Sequence, residues 1–266
     1  MNFRIAKKHF LLFIIFFITC SSFAQKKKIV KNGSFYLSWA YNTEWYTRSN
    51  IHITQPALNN DYTFVNIKAH DHRGWDDHLL QKPITIPQYN YRIGYFYNEK
   101  QTWGFEINFD HAKYVVTKGQ TDEVKGTMGG RNVDTMVVTG DSVLLWQLNN
   151  GANFLQFNMV RKITLIDAWN SKFVLDCLLK TGAGPVIPHV QNTIFGHENI
   201  PHFQFGGWNV DADVSFRATF FKHVFLEYAN KVVYANYSHL RIYQGTAKQA
   251  FGCYQMFLAL GATFKL

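Results

Sequence analysis

The sequence alternates apolar and polar residues almost without interruption over residues 89–116. The apolar positions form two runs, one on each side of a short polar segment at 98–102. They are Tyr89, Tyr91, Ile93, Tyr95 and Tyr97 in the first run, and Trp103, Phe105, Ile107 and Phe109 in the second. Because side chains two residues apart share one face of a β-strand, the stretch predicts a β-hairpin with one aromatic face and one polar, charged face.

Further segments show the same alternation, and with the two hairpin strands they predict eight strands in all. These segments are residues 34–48, 153–165, 172–182, 205–217, 223–237 and 252–266. Short connections at 98–102, 166–171 and 218–222 alternate with long ones at 49–88, 117–152, 183–204 and 238–251, and all six prolines lie in long connections. This layout predicts an all-β, eight-stranded antiparallel transmembrane β-barrel with short periplasmic turns and long extracellular loops. Strand-like runs at 62–70 and 135–148 are predicted to extend hairpins beyond the membrane.

The composition is consistent with a membrane barrel. Charged residues make up 17% of the chain, and aromatic residues also make up 17%, whereas soluble domains usually have ~25% charged residues. After residue 24 there is no apolar run of ~18 residues, so no transmembrane helix is predicted. A soluble, lipocalin-like barrel is the alternative, with its two faces exchanged. The polar face favours the membrane barrel, since it is rich in Asn, Gln, Ser and Gly with mixed charges.

The N-terminus has the layout of a secretory signal peptide. Basic residues precede an apolar run at 10–18, and small residues precede a predicted cleavage after Ala24. We therefore predict a signal peptide at 1–24, a basic tail at 25–33 and the barrel at 34–266. The tail carries part of the formal net charge of +9. It is expected to be solvated rather than to bind nucleic acid.

The chain ends in Gly261-Ala262-Thr263-Phe264-Lys265-Leu266, which resembles the C-terminal sorting signal of outer-membrane barrels. Leu266 departs from the aromatic residue that usually ends this signal. Together with the signal peptide and the loop lengths, the segment makes the chain resemble small eight-stranded outer-membrane proteins of the OmpA-barrel type. The resemblance implies a monomer in the outer membrane of a Gram-negative bacterium, inserted by the barrel assembly machinery through the C-terminal strand. It implies no particular activity.

The predicted inward faces carry nearly equal numbers of acids and bases. The acids are Glu44, Glu106, Asp110, Asp176, Asp211, Asp213 and Glu227, and the bases are Arg48, Arg92, Lys180, Arg217, Lys231 and Lys265. An eight-stranded barrel is only just wide enough for its own side chains, so these groups are expected to pair in a closed interior. Arg92 and Glu106 lie on neighbouring strands. A direct pair between them needs a slight stagger or a third partner such as Asp110.

The first long loop contains residue types that bind transition metals. Its candidate ligands are His70, His72, Asp76 and His78, since imidazole and carboxylate groups bind zinc or copper. Their spacing matches no fixed ligand pattern, and a polar, His-rich surface loop is the alternative. No cofactor is predicted.

The sequence favours a structural or binding role exerted by the external loops. The alternative is a lipid-modifying enzyme, since some eight-stranded outer-membrane barrels are lipid A acyltransferases or deacylases. Such an enzyme needs a nucleophile, a base and an orienting acid near the outer rim. The candidates are Ser238, His239, Asp110 and His111. Neighbouring strand residues point to opposite faces, so Ser238 and His239 could cooperate only if the chain turns there. The His-X-Ser pattern of the deacylases is absent from the sequence.

The outward faces carry further predictions. His111 and Lys113 are expected near the outer leaflet, where lipopolysaccharide phosphates could pair with them. Aromatic girdles are predicted from Trp39, Trp45, Tyr89, Tyr97, Trp103 and Trp208. Cys177 is expected to face lipid and Cys253 to face the interior, so the two thiols should be unpaired.

Overall fold

A computed structural model describes residues 33–73, 88–98, 100–148 and 151–265. In chain order its strands are β1 (Ser34–Tyr46), β2 (Ser49–Gln55), β3 (Asn60–Ile67), β4 (Ala69–His70), β5 (Tyr89–Phe96), β6 (Trp103–His111), β7 (Tyr114–Val116), β8 (Thr121–Met128), β9 (Arg131–Val138), β10 (Leu144–Leu148), β11 (Phe154–Ala168), β12 (Phe173–Pro185), β13 (His189–Ile194), β14 (His197–Glu198), β15 (His202–Phe203), β16 (Gly207–Phe220), β17 (Val224–Ile242) and β18 (Gly245–Lys265). A short 3-10 helix at Pro56–Leu58 joins β2 to β3. Within these residues, no helix is long and apolar enough to cross a membrane. The predicted signal peptide at 1–24, and all but the last residue of the predicted tail at 25–33, lie outside the described residues.

Eight of the strands pair antiparallel in a closed ring. The order is β1, β5, β6, β11, β12, β16, β17 and β18, and β18 pairs back with β1. A path that starts at Phe35 and steps to the ladder partner on each successive strand does not return to Phe35. It comes back to β1 at Trp45. This stagger tilts the strands against the barrel axis by about 40°. The predicted fold class, an antiparallel transmembrane β-barrel, is confirmed.

The wall strands expose apolar side chains outward and bury polar side chains inward. Exposed apolar residues of the wall include Leu37, Ile93, Ile107, Phe157, Leu179, Val214, Leu226 and Leu258. A continuous apolar surface of this kind is suited to lipid rather than water. The closed ring also satisfies the backbone hydrogen bonds that a membrane interior would otherwise leave unpaired. The ring is therefore an outer-membrane barrel, with its short turns on the periplasmic side.

Most of the predicted girdle residues lie near the ends of the wall. Trp45 and Trp208 are exposed near the extracellular ends of β1 and β16, and Tyr97 and Trp103 are exposed beside a periplasmic turn. Trp39 is also exposed, but it lies halfway along β1. Its assignment to a girdle is therefore wrong, because alternation identifies the face of a residue and not its depth in the membrane.

The inward and outward faces of the later strands follow the predicted register. Cys177 is half-buried on β12, Cys253 is buried on β18, and both thiols are free, as predicted. Asn230 interrupts the apolar pattern of β17 without a bulge at that position. Its side-chain oxygen accepts a hydrogen bond of 2.5 Å from the hydroxyl of Tyr254, which explains how this polar group lies on the outer face.

The predicted long loop at 238–251 is wrong. β17 and β18 continue as one hairpin to a turn at 243–244. A bulge between Tyr237 and Leu240 shifts the register of this hairpin. The bulge changes the phase of the alternation, so the sequence pattern ends before the strand does. Two periplasmic turns also lie later than predicted, at 169–172 and 221–223, because β11 and β16 continue further.

The other long connections fold into an extracellular cap, which comprises β2–β4, β7–β10, β13–β15 and the outer ends of β17 and β18. The barrel sheet continues from β18 into β2, β3, β8 and β9, and a second sheet has the order β14, β13, β10, β7 and β4. The runs at 62–70 and 135–148 contribute strands to this cap and none to the wall, as predicted. The cap is therefore built largely from paired strands.

A hydrophobic core joins the two sheets of the cap and fills the outer end of the barrel. Its buried members include Ile51, Phe64, Tyr114, Val124, Leu144, Trp146, Val190, Tyr237 and Phe251. The ring of Tyr114 stacks on that of Phe251 at 4.6 Å. The indole nitrogen of Trp146 donates to Gln249 Oε1 at 3.0 Å, so its one polar atom is satisfied. The alternation in the sequence does not predict this core.

Candidate functional site

Arg92 lies at the centre of an ion-pair network inside the barrel. Its Nη1 is 3.2 Å from Glu106 Oε1 and 2.9 Å from Asp213 Oδ2, and all three side chains are fully buried. Glu106 lies opposite Gly94 in the ladder, so Arg92 reaches it as a diagonal neighbour. The guanidinium also lies over the ring of Phe257, 3.9 Å from its centroid. The slight stagger between β5 and β6 is therefore sufficient for a direct pair between Arg92 and Glu106.

Glu106 receives two further donors. Lys180 Nζ lies 3.1 Å from Glu106 Oε2, and the hydroxyl of Tyr36 donates to the same oxygen at 2.7 Å. Tyr36 reaches this point because its ring lies over Gly94, where an added Cβ would be 2.1 Å from Tyr36 Cζ. A glycine at this position thus allows a tyrosine from β1 to complete the shell around a carboxylate on β6.

Glu227 joins this network to the periplasmic end of the interior. It pairs with Lys180 at 2.7 Å and with Arg217 at 2.7 Å. The guanidinium of Arg217 lies 4.1 Å from the ring centroids of both Tyr36 and Phe225. Each buried charge in this network therefore has an opposite charge within reach, which is the condition for burying it.

A second cluster lies toward the outer end. Lys231 Nζ is 2.6 Å from Asp110 Oδ2 and 3.5 Å from Asp211 Oδ2, and it also donates a short hydrogen bond to Gln156. Asp211 accepts a further bond from Asn158 at 3.2 Å. One ammonium thus serves two carboxylates.

The predicted near-equality of acids and bases is wrong. Arg48 and Lys265 are exposed, because β1 ends before Arg48 and Lys265 lies at the periplasmic end of β18. The seven predicted acids are all buried, but only four of the predicted bases are: Arg92, Lys180, Arg217 and Lys231. None of the ion pairs among the described residues includes Glu44 or Asp176. Asp176 instead accepts a hydrogen bond from Thr164 at 2.6 Å.

A pocket of about 520 Å³ opens where the barrel meets the cap. It is lined by Thr43, Glu44, Trp45, Tyr46, Arg48, Lys68, Ala69, His70, Asp71 and Arg73. The pairing of β5 with β1 ends at Tyr41, so the outer part of β1 has no β5 neighbour. Asp71 replaces that neighbour and accepts hydrogen bonds of 2.9 Å from the backbone nitrogen of Glu44 and the hydroxyl of Thr43.

Glu44 is one of the residues that line this pocket, and it is 2% exposed. Its Oε1 accepts hydrogen bonds from Asn42 and, at 3.4 Å, from Gln255. Its Oε2 is buried without a hydrogen-bond partner. The protein therefore covers this carboxylate almost completely.

The rim of the pocket is basic, with Arg48, Lys68, His70 and Arg73. Arg48 is held by a hydrogen bond of 2.9 Å to the backbone oxygen of Asn66. Trp45, on the lipid side, has its ring 5.5 Å from that of Tyr254. Trp45 is exposed near the extracellular end of β1, a position typical of aromatic residues at the membrane interface.

The four candidate catalytic residues do not form one site. Ser238 and His239 lie in the bulge of β17, where the ladder with β18 is interrupted. Asp110 is paired with Lys231 in the interior. No hydrogen bond or ion pair between described residues joins these side chains to one another.

His111 and Lys113 are buried, with 6% and 8% exposure, so their expected position beside the outer leaflet is wrong. His111 Nδ1 lies 2.9 Å from Asn153 Oδ1, and its ring stacks on Tyr89 at 4.8 Å. Lys113 follows the end of β6. Its backbone nitrogen donates to Gln88 Oε1 at 3.0 Å, and its backbone oxygen accepts a hydrogen bond of 2.9 Å from the hydroxyl of Tyr46. Alternation along β6 does not predict the burial of a residue that lies beyond the end of the strand.

The metal candidates are only partly described. His70 Nδ1 lies 3.0 Å from the hydroxyl of Thr117, and Asp76 and His78 lie outside the described residues. In the described part of the chain, no group of three or more His, Cys, Asp or Glu residues could hold a metal ion. Metal binding by His70 and His72 stays a prediction.

Neither a family model nor a curated protein matches the sequence. Among solved structures, the outer membrane protein OprG from Pseudomonas aeruginosa is similar with a TM-score of 0.40 and 12% identity, over 88% of this chain and 97% of that one. Ail, the attachment invasion locus protein of Yersinia pestis, gives a TM-score of 0.34 and 8% identity over 88% and 98%. The outer membrane protease OmpT from Escherichia coli gives 0.38 and 8% over 92% and 100%. These similarities assign no residue role to this chain.

Proposed function

We propose that this protein is a closed outer-membrane barrel that binds phosphorylated lipopolysaccharide headgroups at the junction of wall and cap. A transport role has little support, since the interior is occupied by buried ion pairs such as that of Arg92 with Asp213. Its outer end is also filled by the hydrophobic core around Trp146. A closed barrel with an ordered external cap is suited to holding a binding surface in place.

The observation that carries the proposal is the basic rim of the outer pocket. Arg48, Lys68, His70 and Arg73 surround one opening beside the outer aromatic residue Trp45. Guanidinium and ammonium groups form their strongest hydrogen bonds with anionic oxygens, phosphate among them. Phosphorylated sugars of lipopolysaccharide lie at this depth of the outer leaflet. The rim, rather than the buried His111 and Lys113, is therefore the surface that would contact them.

The experiment compares two lipids that differ only in phosphate. The full chain, purified in a non-ionic detergent, is titrated with bisphosphorylated lipid A and with fully dephosphorylated lipid A. We expect preferential binding of the phosphorylated form. The double variant Arg48→Gln/Lys68→Gln should bind it about tenfold more weakly, as expected for the loss of charge-assisted hydrogen bonds.

A matched control removes two lysines elsewhere on the cap. Lys118 and Lys125 are exposed and form surface ion pairs with Asp141 and Glu123. Lys118→Gln/Lys125→Gln makes the same change in net charge and should leave lipid A affinity unchanged. Equal affinity of the wild type for the two lipids, or equal weakening by both double variants, would contradict binding at the pocket.

A further inference from the structure

We propose that a second pocket, at the periplasmic mouth of the barrel, binds the phosphate of an anionic phospholipid from the inner leaflet of the outer membrane. This periplasmic pocket has a volume of about 200 Å³. Its charged lining residues are Lys162, Asp167, Asp176, Arg217, Lys222 and Lys265. The inference is independent of the proposed function, because the periplasmic and outer pockets have no residue in common.

Three lysines from three parts of the wall surround this pocket without an acidic partner. Lys162 lies on β11, Lys222 lies in the turn between β16 and β17, and Lys265 ends β18. No ion pair between described residues includes any of the three. Arg217, in contrast, is already paired with Glu227 at 2.7 Å. The three ammonium groups are therefore the cations that a ligand can engage.

These ammonium groups are accessible. Lys222 and Lys265 are exposed, and Lys162 is half-buried. The Nζ of Lys162 lies 4.6 Å from the ring centroid of Phe96. This nitrogen forms no hydrogen bond with the residues that the structure describes, yet it is not one of the fully covered polar atoms that lack a partner. Its N–H donors are thus open to a ligand in the pocket.

The two carboxylates of the periplasmic pocket are bonded to neighbouring hydroxyl groups. The Oδ2 of Asp167 accepts a hydrogen bond of 3.0 Å from Ser171. Buried Asp176 accepts one of 2.6 Å from Thr164. Neither carboxylate forms an ion pair with a lysine of the pocket, so the lysines keep their charge for an external anion.

The periplasmic end of the barrel has more basic than acidic side chains. Four bases and two acids line the pocket, and Glu227, the partner of Arg217, adds a third acid. The periplasmic turns add Lys100 and Lys172, while Glu99 lies outside the described residues. An anion is therefore the ligand that this end of the barrel attracts, and phosphate oxygens are strong acceptors for ammonium groups.

Aromatic side chains place the pocket beside the membrane rather than deep in the periplasm. Trp169 lies at the tip of the turn between β11 and β12 and is 76% exposed. Its ring lies 5.9 Å from that of Phe173, which in turn lies 5.5 Å from that of Phe220. Rows of aromatic rings at the end of a barrel wall are typical of the membrane interface. Ser171 of the same turn lines the pocket, so phospholipid headgroups are at its level.

A step in the wall gives a headgroup lateral access to the pocket. The ladder between β6 and β11 ends at Trp103 and Arg161, whereas β11 continues to Ala168, paired with β12. Residues 163–168 have no strand neighbour on the β6 side among the described residues. Backbone groups on such an edge require polar surroundings, which headgroups supply and hydrocarbon does not. Thr164 of this edge lines the pocket.

The test compares two phospholipids in a protein whose outer pocket is weakened. The full chain carrying Arg48→Gln/Lys68→Gln, in a non-ionic detergent at physiological ionic strength, is titrated with dioleoyl phosphatidylglycerol and with dioleoyl phosphatidylcholine. Bound lipid is counted by native mass spectrometry. We expect phosphatidylglycerol to bind about tenfold more tightly, because choline neutralises the phosphate of the other lipid. Adding Lys162→Gln/Lys265→Gln should abolish the preference.

Two further variants make this result specific to the pocket. Lys222→Gln/Lys265→Gln changes only exposed side chains, so it decides if the variant at Lys162 does not fold, and it should also remove the preference. Lys100→Gln/Lys172→Gln makes the same change in net charge at exposed positions that do not line the pocket. This control should keep the preference, because charges outside the pocket are screened by salt.

Three outcomes would overturn the inference. One is equal binding of the two lipids, and another is a preference that survives both pocket variants. The third is equal weakening by the control, which would assign binding to the overall charge of the periplasmic end. Free glycerol phosphate identifies the source of the phosphate. We expect it not to displace phosphatidylglycerol at equal concentration, whereas displacement would replace the lipid by a soluble phosphate ligand.

Discussion

Glu106 accepts hydrogen bonds from Arg92, Lys180 and Tyr36, three side chains on three different strands. Glu106→Ala would leave two cations and a hydroxyl short of an acceptor inside a closed barrel. We expect the free energy of unfolding to fall by about 3 kcal/mol, which is typical when one partner of a buried ion pair is removed. The measurement is the temperature at which the folded form is lost in heat-modifiability gels.

Glu123→Ala provides the comparison for this variant. Glu123 pairs with Lys125 at the surface of β8, where the lysine side chain is 52% exposed. Surface pairs contribute less than ~1 kcal/mol, so the unfolding temperature should hardly change. Equal effects of the two substitutions would show that the central network adds no more to stability than a surface pair.

Period-two alternation was sufficient to predict which side chains of the wall face inward. It assigned Arg92, Glu106 and Lys231 to the interior, where all are buried. It could not predict their partners, because pairs such as Arg92 with Asp213 cross the barrel and depend on its stagger. It also placed Arg48 inside, since a pattern in the sequence does not show where a strand leaves the wall.

The strand β8 contains an acid, Asp122, whose ionisation makes the stability of the cap depend on pH. Asp122 is 4% exposed. Burial raises the pKa of its carboxyl to about 6, although Arg48 acts in the opposite direction, while an unfolded aspartate has a pKa of about 3.9. Between about pH 4 and pH 6 the folded cap therefore binds more protons than the unfolded one. Its stability must decrease as pH rises through this window.

Hydrogen exchange of the β8 and β9 amides, corrected for intrinsic rates, measures this effect. We expect stronger protection at pH 4.5 than at pH 7 in the wild type, and little difference in Asp122→Asn. Asp134→Asn is the control, since Asp134 is exposed on the neighbouring strand β9 and should leave the pH dependence intact. A pH dependence that persists in Asp122→Asn would assign it to another group.

Strands were easier to predict than the structure of the loops. In each wall strand, apolar residues face lipid and polar residues face the interior, so the sequence alternates with a period of two. A cap strand such as β13 is short and has three consecutive buried residues near its end. The bulge after Tyr237 interrupts the alternation, so the sequence pattern did not predict the outer third of the hairpin of β17 and β18. The outer pocket was missed because its residues come from β1 and from the chain around β4, which only the completed fold brings together.

The orientation of the whole barrel can be tested with two insertions. The turn between β8 and β9 contains Gly129, around which an added Cβ would meet no atom within 4 Å. Lys100 lies in the short turn between β5 and β6. An epitope inserted after Gly129 should bind antibody on intact cells, and one inserted after Lys100 only after permeabilisation. Access at Lys100 without access at Gly129 would reverse the orientation.

The interior has two barriers in series. One is the network around Arg92 and Glu106, and the other is the apolar core around Trp146, which is 0% exposed. Ions must pass both, and an apolar constriction blocks them even where water could enter. We therefore expect no steady conductance from the wild type in planar bilayers. Glu106→Ala and Trp146→Ala should each stay closed, because either change leaves the other barrier in place. Steady, large currents from the wild type would instead identify a channel, and currents from Glu106→Ala alone would show that the cap does not seal the outer end.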